Sequence, residues 1–150
     1  MMILCPHFLI DIMKNLVIIG AGGMGRTIFD VARESIGYGI EYTIKGFIDD
    51  NLSALDGFED YPPMLGTISH YLPEVDDVFT FSIGGESRRV CIEYLMERNA
   101  KFINIVHSTA RIGSNVRMGE GNVIGAFTSL GADCSIGSYN MIQSYTVIGH

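Results

Sequence analysis

The second part of the sequence repeats every six residues, and this period constrains the fold more than any other feature. Aliphatic residues or methionine occupy every sixth position without a slip: Val106, Ile112, Met118, Ile124, Leu130, Ile136, Ile142 and Ile148. Neither an α-helix, with about 3.6 residues per turn, nor a strand, with a period of two, keeps this spacing. A period of six is typical of a parallel β-helix, in which each hexapeptide forms one flat face.

Glycine occupies the next position from Ile112 onward, at residues 113, 119, 125, 131, 137 and 149, and Gln143 interrupts the series. Since glycine adopts backbone conformations that other residues avoid, we expect these glycines to permit the corners between faces. A small or compact side chain stands four residues after each aliphatic one, and Cys134 is among them. We expect Cys134 to lie in the core of the coil.

The first part of the chain, from Leu16 to about Ile105, alternates short apolar runs with amphipathic stretches. Four runs have the composition of strands: NLVIIG, EYTIKGFIDD, DDVFTFSIGG and KFINIV. Two stretches have helical spacing: GMGRTIFDVARESIG and ESRRVCIEYLMERNA. This alternation predicts parallel strands in a three-layer α/β arrangement. Residues 51–74 are rich in turn formers, which predicts a surface loop around one short helix.

The apolar residues of the two predicted helices indicate which faces are buried. In the first helix the stripe comprises Ile28, Val31, Ala32 and Ser35, with Gly37 as a stop signal. In the second helix it comprises Val90, Cys91, Tyr94 and Leu95. We expect both stripes to pack against the sheet.

The composition narrows the partners and the compartment. A net charge of −7 and a pI near 4.9 disfavour nucleic acid or an anionic membrane as a partner, and the apolar start is too short to insert into a bilayer. Three widely spaced cysteines without a CxxC motif argue against disulfides and against a metal site, and they favour a cytoplasmic protein. We interpret residues 1–12 as an extension, 13–105 as a Rossmann-like domain and 106–150 as the repeat domain.

A glycine-rich loop, GAGGMG, joins the first predicted strand to the first predicted helix. Its Gly20, Gly22 and Gly25 fit the pattern G-x-G-x-x-G in the context that this pattern requires. Such glycines let backbone N–H groups approach a phosphate at the positive end of a helix. Asp49 and Asp50 end the second strand, at a distance suited to accepting hydrogen bonds from a ribose. The loop predicts a site for NAD, NADP or a nucleotide sugar, although the two carboxylates disfavour a 2′-phosphate; a tight turn with glycines needed only for packing is the alternative.

A second glycine pair, Gly84 and Gly85, ends the third predicted strand. Because neighbouring parallel strands end at the same edge of a sheet, we expect this loop to face the same crevice. Arg88, in the next predicted helix, would reach a phosphate from there. The alternative is that Arg88 is a solvent-exposed residue of the helix with no ligand to bind.

A nucleotide-type α/β domain that leads into hexapeptide repeats is a rare combination. From about Lys14 to His150 the chain resembles the bacterial sugar acyltransferases that O-acetylate sialic acid or N-acetylate nucleotide-linked amino sugars. The resemblance rests on GAGGMG, GFIDD, SIGGESRR and FINIVHSTARIG, in the family's order and spacing. It implies a first domain that holds a nucleotide sugar and a left-handed coil that forms a homotrimer. It further implies acetyl-CoA in the cleft between neighbouring coils, and a role in surface glycan synthesis.

The resemblance also implies which residues form the nucleotide-sugar site. They are Gly20, Gly22, Gly23, Met24, Gly25, Asp49, Asp50, Gly84, Gly85 and Arg88. The chain departs from the family pattern at Met24, where many relatives have histidine, and at Gln143, where asparagine is frequent.

The resemblance places the catalytic base at His150, because TVIGH fits the family's segment small–Val–Ile–x–His. A neutral imidazole can take a proton from a sugar amine or hydroxyl as that group attacks a thioester, so no acyl-enzyme on Cys134 is needed. We interpret His107, at the junction of the two domains, as structural. We expect His7 and His70 to be surface residues.

Relatives continue beyond the base with an acidic residue that orients the histidine, with further coils and with a closing segment. Residues 106–150 provide roughly two and a half coils of eighteen residues, so we expect an incomplete coil domain. Two alternative functions therefore follow for this chain. The first is an acetyl-CoA-dependent acetyltransferase, and the second is a truncated, non-catalytic protein that binds a nucleotide sugar. An NAD-dependent oxidoreductase is disfavoured by the repeats and by the absence of a Tyr-x-x-x-Lys motif.

Overall fold

The protein alternates strands and helices up to residue 96 and consists of two-residue strands from residue 105 onward, in a computed structural model that describes residues 12–149. The first part contains β1 (Lys14–Ile19), α1 (Gly23–Arg33), β2 (Tyr42–Ile48), β3 (Met64–Gly66), β4 (Asp77–Phe81) and α2 (Gly85–Met96). The second part contains β5 (Ile105–Val106), β6 (Arg111–Ile112), β7 (Arg117–Met118), β8 (Val123–Ile124), β9 (Ser129–Leu130), β10 (Ser135–Ile136), β11 (Met141–Ile142) and β12 (Val147–Ile148). Within residues 12–149 no helix has the length and hydropathy needed to cross a membrane.

Strand β1 lies between β2 and β4 in a four-stranded parallel sheet of order β3-β2-β1-β4. It is apolar from Leu16 to Ile19, as a strand buried on both faces requires. Leu16 and Ile18 pack in the core cluster that contains α1 residues, whereas Val17 and Ile19 pack in the cluster that contains α2 residues. Because successive side chains of a strand point to opposite faces, the two helices cover opposite faces of the sheet. The prediction of a three-layer α/β arrangement is confirmed.

The buried faces of the helices agree only in part with the sequence patterns. Helix α1 buries Ile28 and Ala32 as predicted. Helix α2 buries Ile92 and Leu95, whereas Val90 is 64% exposed. The prediction for Val90 was wrong because α2 rests on Phe79 and its neighbours through positions three residues apart, which turns Val90 toward solvent.

Residues 51–74 contain turns and the short strand β3 but no helix, so the predicted short helix was wrong. Successive i to i+3 hydrogen bonds, such as Ala54 N–H to Asn51 O, do not extend into a helix, and Gly57 breaks the run with a φ of +79°. Two prolines then precede β3, and proline favours an extended conformation in the residue before it. The segment therefore returns to the sheet as an edge strand.

The fourth predicted strand, KFINIV, divides between the two parts of the protein. Phe102 makes a single parallel bridge with Phe79 of β4, and this is its only contribution to the first sheet within the described residues. Ile105 and Val106 form β5, which pairs with β8 in the coil. The prediction of one strand in the α/β sheet was wrong, because the coil's β8 provides a second partner for this chain segment.

Strands β5 to β12 form a parallel β-helix. They stack in three sheets, of orders β11-β8-β5, β12-β9-β6 and β10-β7. Each strand pairs with the strand eighteen residues along the chain, as in the register Ile105 to Val123 and Val123 to Met141. One coil therefore contains three faces of six residues, as the period predicts. Cys134 is 7% exposed and packs in the interior of the coil, which confirms its predicted place.

The corners of the coil lie at positions other than those predicted. Left-handed φ values occur at every sixth residue: Asn115, Gly121, Phe127, Asp133, Tyr139 and Tyr145. The glycines directly after the aliphatic positions have no left-handed φ, so the prediction that they permit the corners was wrong. Three of them, Gly113, Gly119 and Gly125, permit close stacking instead: a Cβ on Gly125 would lie 2.6 Å from the backbone nitrogen of Ser144 in the next coil, and one on Gly113 would lie 2.6 Å from that of Ala132.

An asparagine ladder crosses the coils at one corner, with Asn104, Asn122 and Asn140 spaced by eighteen residues. The side chain of Asn122 is fully buried; its Nδ2 donates to the carbonyl of Gly137 at 2.8 Å, and its Oδ1 accepts from Asn140 N–H at 2.9 Å. In turn Asn122 N–H donates to Oδ1 of Asn104 at 2.8 Å. The ladder thus supplies partners for buried backbone groups at a corner, where the strands cannot.

The end of α1 is joined to the first coil through His107. Its Nδ1 accepts a hydrogen bond from Thr109 N–H at 3.1 Å, so the proton resides on Nε2, which donates to Glu34 at 2.9 Å. Nearby, Ile36 N–H donates to the carbonyl of Val106 at 3.1 Å. His107 is 6% exposed, and its interpretation as a structural residue is confirmed.

We expect Gly125→Ala to destabilise the chain by about 2 kcal/mol, because its Cβ must displace backbone of the next coil. Gly137→Ala is the matched control: it occupies the same repeat position, and its Cβ would approach only Asn140 Nδ2, at 3.9 Å. The control is expected to change stability by less than about 0.5 kcal/mol. Urea unfolding followed by circular dichroism measures both. Equal effects of the two substitutions would contradict close stacking as the reason for the glycine.

Candidate functional site

The N-termini of α1 and α2 lie at the carboxyl ends of two adjacent strands, β1 and β4, which are paired through Ile19 and Phe81. Gly22 is the N-cap of α1 and Gly84 is the N-cap of α2, and neither helix has a side-chain acceptor at its cap. The first-turn N–H groups of both helices therefore point out of the sheet edge without a side-chain partner. Helix dipoles and such N–H groups favour the binding of an anion.

Two of the loop glycines are explained by packing alone. A Cβ on Gly25 would overlap the backbone carbonyl of Gly20, and a Cβ on Gly20 would overlap the hydroxyl of Ser82. Gly20 also has a φ of +94°, in the left-handed region that favours glycine. These contacts let the first turn of α1 lie directly on the end of β1. The packing alternative therefore applies to Gly20 and Gly25.

The remaining glycines of the loop have no such explanation. A Cβ on Gly22 would meet nothing within 4 Å, and one on Gly23 would meet only the end of the Arg26 side chain, at 3.9 Å. A Cβ on Gly84 would also meet nothing, and Gly22 has an ordinary φ of −68°. Open space beside two helix N-termini is what a phosphate needs for close approach to the backbone. Gly85 differs, because its φ of +65° favours glycine for the turn itself.

The two helix ends differ in charge. Helix α2 carries Glu86 in its first turn, whereas the first turn of α1 contains no acidic residue. A carboxylate beside the first-turn N–H groups competes with an incoming anion. The end of α1 is therefore the more favourable position for a phosphate.

Asp49 positions the glycine loop. Its Oδ2 accepts a hydrogen bond from Ala21 N–H at 2.8 Å, and its Oδ1 accepts one from Asn51 N–H at 2.8 Å. Asp50 accepts a hydrogen bond from Ile68 N–H at 3.0 Å. The structure thus places the Asp49 carboxylate beside the glycine loop, whereas Asp50 borders the segment after β3 and the α2 residues Val90 and Cys91. The predicted contact of the two carboxylates with a ribose stays a prediction.

Two residues that position the loop were not singled out in the sequence. The hydroxyl of Ser82, just after β4, donates to the carbonyl of Ile19 at 2.8 Å and lies 3.1 Å from the carbonyl oxygen of Gly20. The guanidinium of Arg26 donates to Ala21 O at 3.2 Å and lies 3.7 Å from the centroid of the Phe58 ring. The available signals were a hydroxyl residue directly after a strand and an arginine in the first turn of a helix.

Arg88 lies between the two parts of the protein. Its guanidinium is 5.3 Å from the centroid of the Phe81 ring, at the carboxyl end of β4. Two adjoining grooves, of about 410 and 450 Å³, share Arg88 and the coil residue Asn140 in their walls. In the second groove Tyr139 donates a hydrogen bond to Glu120 at 2.7 Å, and burial together with this carboxylate raises the pKa of Tyr139 to about 12. Of the residues predicted for the nucleotide-sugar site, Arg88 carries a positive charge and faces the coil, and Arg89 lines the second groove beside it.

Met24 faces the coil from the first turn of α1. It is 39% exposed and lines a crevice of about 160 Å³ whose other wall contains Gln143. The two residues at which the sequence departs from the family pattern therefore lie in one crevice.

Of the remaining residues considered from the sequence, His70 and Cys91 lie within the described part. His70 is exposed, as predicted, and Cys91 is half-buried, with burial and the neighbouring Asp50 raising the pKa of its thiol. His150, the predicted base, and His7 lie outside the described residues. Residues 12–149 contain no cluster of three or more His, Cys, Asp or Glu side chains placed to hold a metal ion.

Comparison with known proteins agrees with the two-part fold. The profile of the PglD N-terminal domain matches residues 15–95, and that of the bacterial transferase hexapeptide, with six repeats, matches residues 115–150. UDP-N-acetylbacillosamine N-acetyltransferase from Bacillus subtilis is 30% identical over 116 residues, which are 74% of this chain and 51% of that protein.

Two solved structures have the same fold. The acetyltransferase domain of PglB from Neisseria gonorrhoeae, in complex with acetyl coenzyme A, has a TM-score of 0.76 and 23% identity, over 92% of this chain and 65% of that one. PerB from Caulobacter crescentus, in complex with CoA and GDP-perosamine, has a TM-score of 0.74 and 24% identity, over 91% of this chain and 63% of that one.

The fold is a Rossmann-like α/β domain joined to a hexapeptide coil. The chain belongs to the PglD N-terminal domain family, since that profile covers more than half of its length. This confirms the resemblance to bacterial sugar acetyltransferases that the sequence motifs predict. The chain spans about half the length of the curated relative and less than two thirds of each solved structure.

We expect Asp49→Ala to loosen the glycine loop, because Ala21 N–H and Asn51 N–H both lose their acceptor. The expected loss of stability is about 1–3 kcal/mol, with faster hydrogen exchange at the amide of Ala21. Asp56→Ala is the matched control, since Asp56 is exposed in the same segment. If exchange at Ala21 responds equally to both substitutions, the assignment of Asp49 as the positioning group of the loop is wrong.

Proposed function

We propose that this chain is an acetyltransferase that moves an acetyl group from acetyl-CoA to the amino group of a nucleotide-linked sugar. One observation carries the proposal. The open glycine caps of α1 and α2 lie at one sheet edge, and Met24 and Arg88 at this edge face a hexapeptide coil across a crevice and a groove. Oxygen of sialic acid as the acceptor is the alternative within the same chemistry.

The known relatives support both halves of the proposal. The Bacillus subtilis relative is named for N-acetyl transfer to a UDP-linked sugar, and PerB was solved with CoA and GDP-perosamine. The gonococcal PglB domain was solved with acetyl coenzyme A. Taken together, these proteins supply the two reactants of the proposal: a nucleotide-linked sugar and acetyl coenzyme A.

In the proposed complex the diphosphate lies against the first turn of α1. The diphosphate accepts hydrogen bonds from backbone N–H groups of the loop and first turn, at Gly22, Gly23, Met24 and Gly25. The loop after the neighbouring strand borders it with Gly84 and Gly85. Arg88 offers the positive charge that faces the coil. Asp49 and Asp50 accept hydrogen bonds from the ribose through lone pairs that their backbone partners leave free. The hexose then points toward the coil.

The proposed chemical step uses His150 as the base. Its neutral imidazole takes a proton from the sugar amine as the nitrogen attacks the thioester carbonyl. The new C–N bond forms, the C–S bond breaks, and the proton passes from the imidazolium to the departing thiolate of CoA. The motif TVIGH supports this role, and His150 comes after β12, the last described strand of the coil.

The first test is thiol release from acetyl-CoA by the 150-residue chain, with UDP- and GDP-linked amino sugars and sialic acid as acceptors. We expect turnover with a nucleotide amino sugar and its loss, by at least about 100-fold, in His150→Ala. Gly22→Leu adds a side chain in open space, so it is expected to weaken nucleotide binding about 10-fold or more while leaving thermal stability unchanged.

The outcomes of this test separate the alternatives. Nucleotide-sugar binding without thiol release would support the second hypothesis, a non-catalytic binding protein. Binding of NAD without binding of any nucleotide sugar would favour the oxidoreductase hypothesis instead. Failure of Gly22→Leu to change nucleotide affinity would refute the position given to the diphosphate.

We further propose that the chain forms a homotrimer through the coil and acts in the cytoplasm. The face β12-β9-β6 exposes Val147 by 77%, and the stacked rings of Phe127 and Tyr145 are exposed at its corner. The thiols of Cys91 and Cys134 are unpaired within the described residues, as a reducing compartment allows. Cell fractionation that recovers the protein outside the cytoplasm would refute the location.

Light scattering is expected to give a mass three times the 16.5 kDa of one chain. Val147→Asp places a charge on the exposed coil face and should dissociate the trimer, whereas Ile40→Asp, at a residue equally exposed on the α/β part, should not. A monomer for the unmodified chain contradicts the proposed assembly.

A further inference from the structure

Arg26 lies beside the glycine loop, and contacts with the loop use only part of its side chain. The residue comes from the first turn of α1 and is half-buried. Within the described part of the chain its guanidinium donates one hydrogen bond, to Ala21 O at 3.2 Å, and Nη2 lies 3.9 Å from the position that a Cβ on Gly23 would take. Because a guanidinium has five N–H donors, N–H groups remain for a ligand at the open side of the loop.

The positive charge of Arg26 is not neutralised by a carboxylate in the part of the protein that the structure describes. The salt bridges between residues 12 and 149 do not include Arg26. Asp30, one turn further along α1, pairs with Arg33 instead, at 3.2 Å. An unpaired cation beside a helix N-terminus adds to the attraction of that end for an anion. The end of α1 is therefore suited to more negative charge than its N–H groups alone would bind.

The ring of Phe58 holds the guanidinium of Arg26 in this place. Phe58 comes from the segment between β2 and β3, and the centroid of its ring lies 3.7 Å from Cζ of Arg26, within the range of a cation–π contact. Phe58 N–H donates to Leu55 O at 3.0 Å, and Leu55 packs against the core cluster that contains α1 residues. Stacking covers one face of the guanidinium, so the N–H groups in its plane stay free to bind an anion.

We propose that Arg26 binds the second phosphate of a nucleoside diphosphate and that Phe58 is the residue that positions Arg26. The N–H groups of the first turn of α1 hold one phosphate, and the in-plane N–H groups of Arg26 donate to oxygens of the other. Arg26 thereby distinguishes nucleoside diphosphates from monophosphates. The inference rests on the proposed function, because it requires a phosphate at the glycine loop.

A purely structural role of Arg26 predicts a different result. If Arg26 only stabilises the loop through Ala21 O, its loss disturbs the N–H groups of the loop and weakens the binding of monophosphates and diphosphates alike. A side chain that contacts the second phosphate affects diphosphates far more than monophosphates. A comparison of the two classes of nucleotide therefore separates the two roles.

The test is calorimetric titration of the 150-residue chain with UDP, GDP, UMP and GMP. For Arg26→Gln we expect diphosphates to bind about 10-fold or more weakly and monophosphates to lose less than about 3-fold, since charge-assisted hydrogen bonds to one phosphate are removed. Phe58→Leu is expected to weaken diphosphate binding about 2- to 5-fold, because the guanidinium loses its stacking partner. Arg26→Lys keeps the charge without the planar fork and is expected to give an intermediate diphosphate affinity, so it serves as the test if Arg26→Gln does not fold.

Arg33→Gln is the matched control. It removes the same charge from the same helix, and Arg33 also lies over a phenyl ring, with its Cζ 5.1 Å from the ring centroid of Phe29. Arg33 belongs to the last turn of α1, at the end opposite the glycine loop. We expect this control to leave the affinity for all four nucleotides unchanged. If it weakens diphosphate binding as much as Arg26→Gln does, the effect is one of net charge and the inference is wrong.

Three further results would overturn the inference in different ways. If Arg26→Gln weakens monophosphates and diphosphates equally, or weakens neither, Arg26 does not bind the second phosphate, although the proposed nucleotide site stands. Unchanged diphosphate affinity in Phe58→Leu would refute the role of Phe58. If none of the four nucleotides binds to the unmodified chain, the proposed function fails and the inference fails with it.

Discussion

Helix α1 is fixed at both ends, and the geometry of the candidate site depends on this. At its N-terminus, close contact between Gly25 and Gly20 seats the first turn on β1, while Asp49 holds the loop by Ala21 N–H. At the other end Glu34 is bound to His107 of the first coil. A helix held in this way cannot tilt without breaking the hydrogen bond between Glu34 and His107 at one end or overlapping atoms at the other. The distance between the glycine loop and the coil is therefore set by the fold, before any ligand arrives.

Much of this architecture is encoded in local patterns of the sequence. The period of six predicts the coil, because each repeat places one inward aliphatic side chain per face, and the interior around Cys134 agrees. The glycine loop between a strand and a helix predicts the site edge for the same reason: its context is local. The chemical roles of the residues at that edge depend on ligands and are not contained in either pattern.

The wrong predictions share one cause: a sequence pattern identifies the type of a residue but not the atoms that it contacts in the fold. The glycine after each aliphatic residue suggests a need for unusual backbone angles, yet glycine is required at Gly125 because the backbone of the next coil lies close to it. The left-handed backbone angles occur instead at residues such as Phe127 and Tyr145. Val90 fits a helical stripe, but contacts across the sheet decide which stripe is buried. Ser82 is distant from the glycine loop in the sequence, and the side chain of Arg26 folds back onto the loop that precedes it. Only the tertiary structure shows that both residues contact the loop.

The pairing of each coil strand with the strand eighteen residues away has a consequence for how such a chain can change in length. An insertion of six residues in the coil would rotate every later residue by a third of a turn, so residues of one face would move to the next. An insertion of eighteen would keep every face and raise the later strands by one strand spacing, about 4.8 Å. Insertions or deletions between β5 and β12 thus leave the site unchanged only if they comprise whole coils of eighteen residues. The position of a residue within the eighteen-residue repeat determines the face on which its side chain lies.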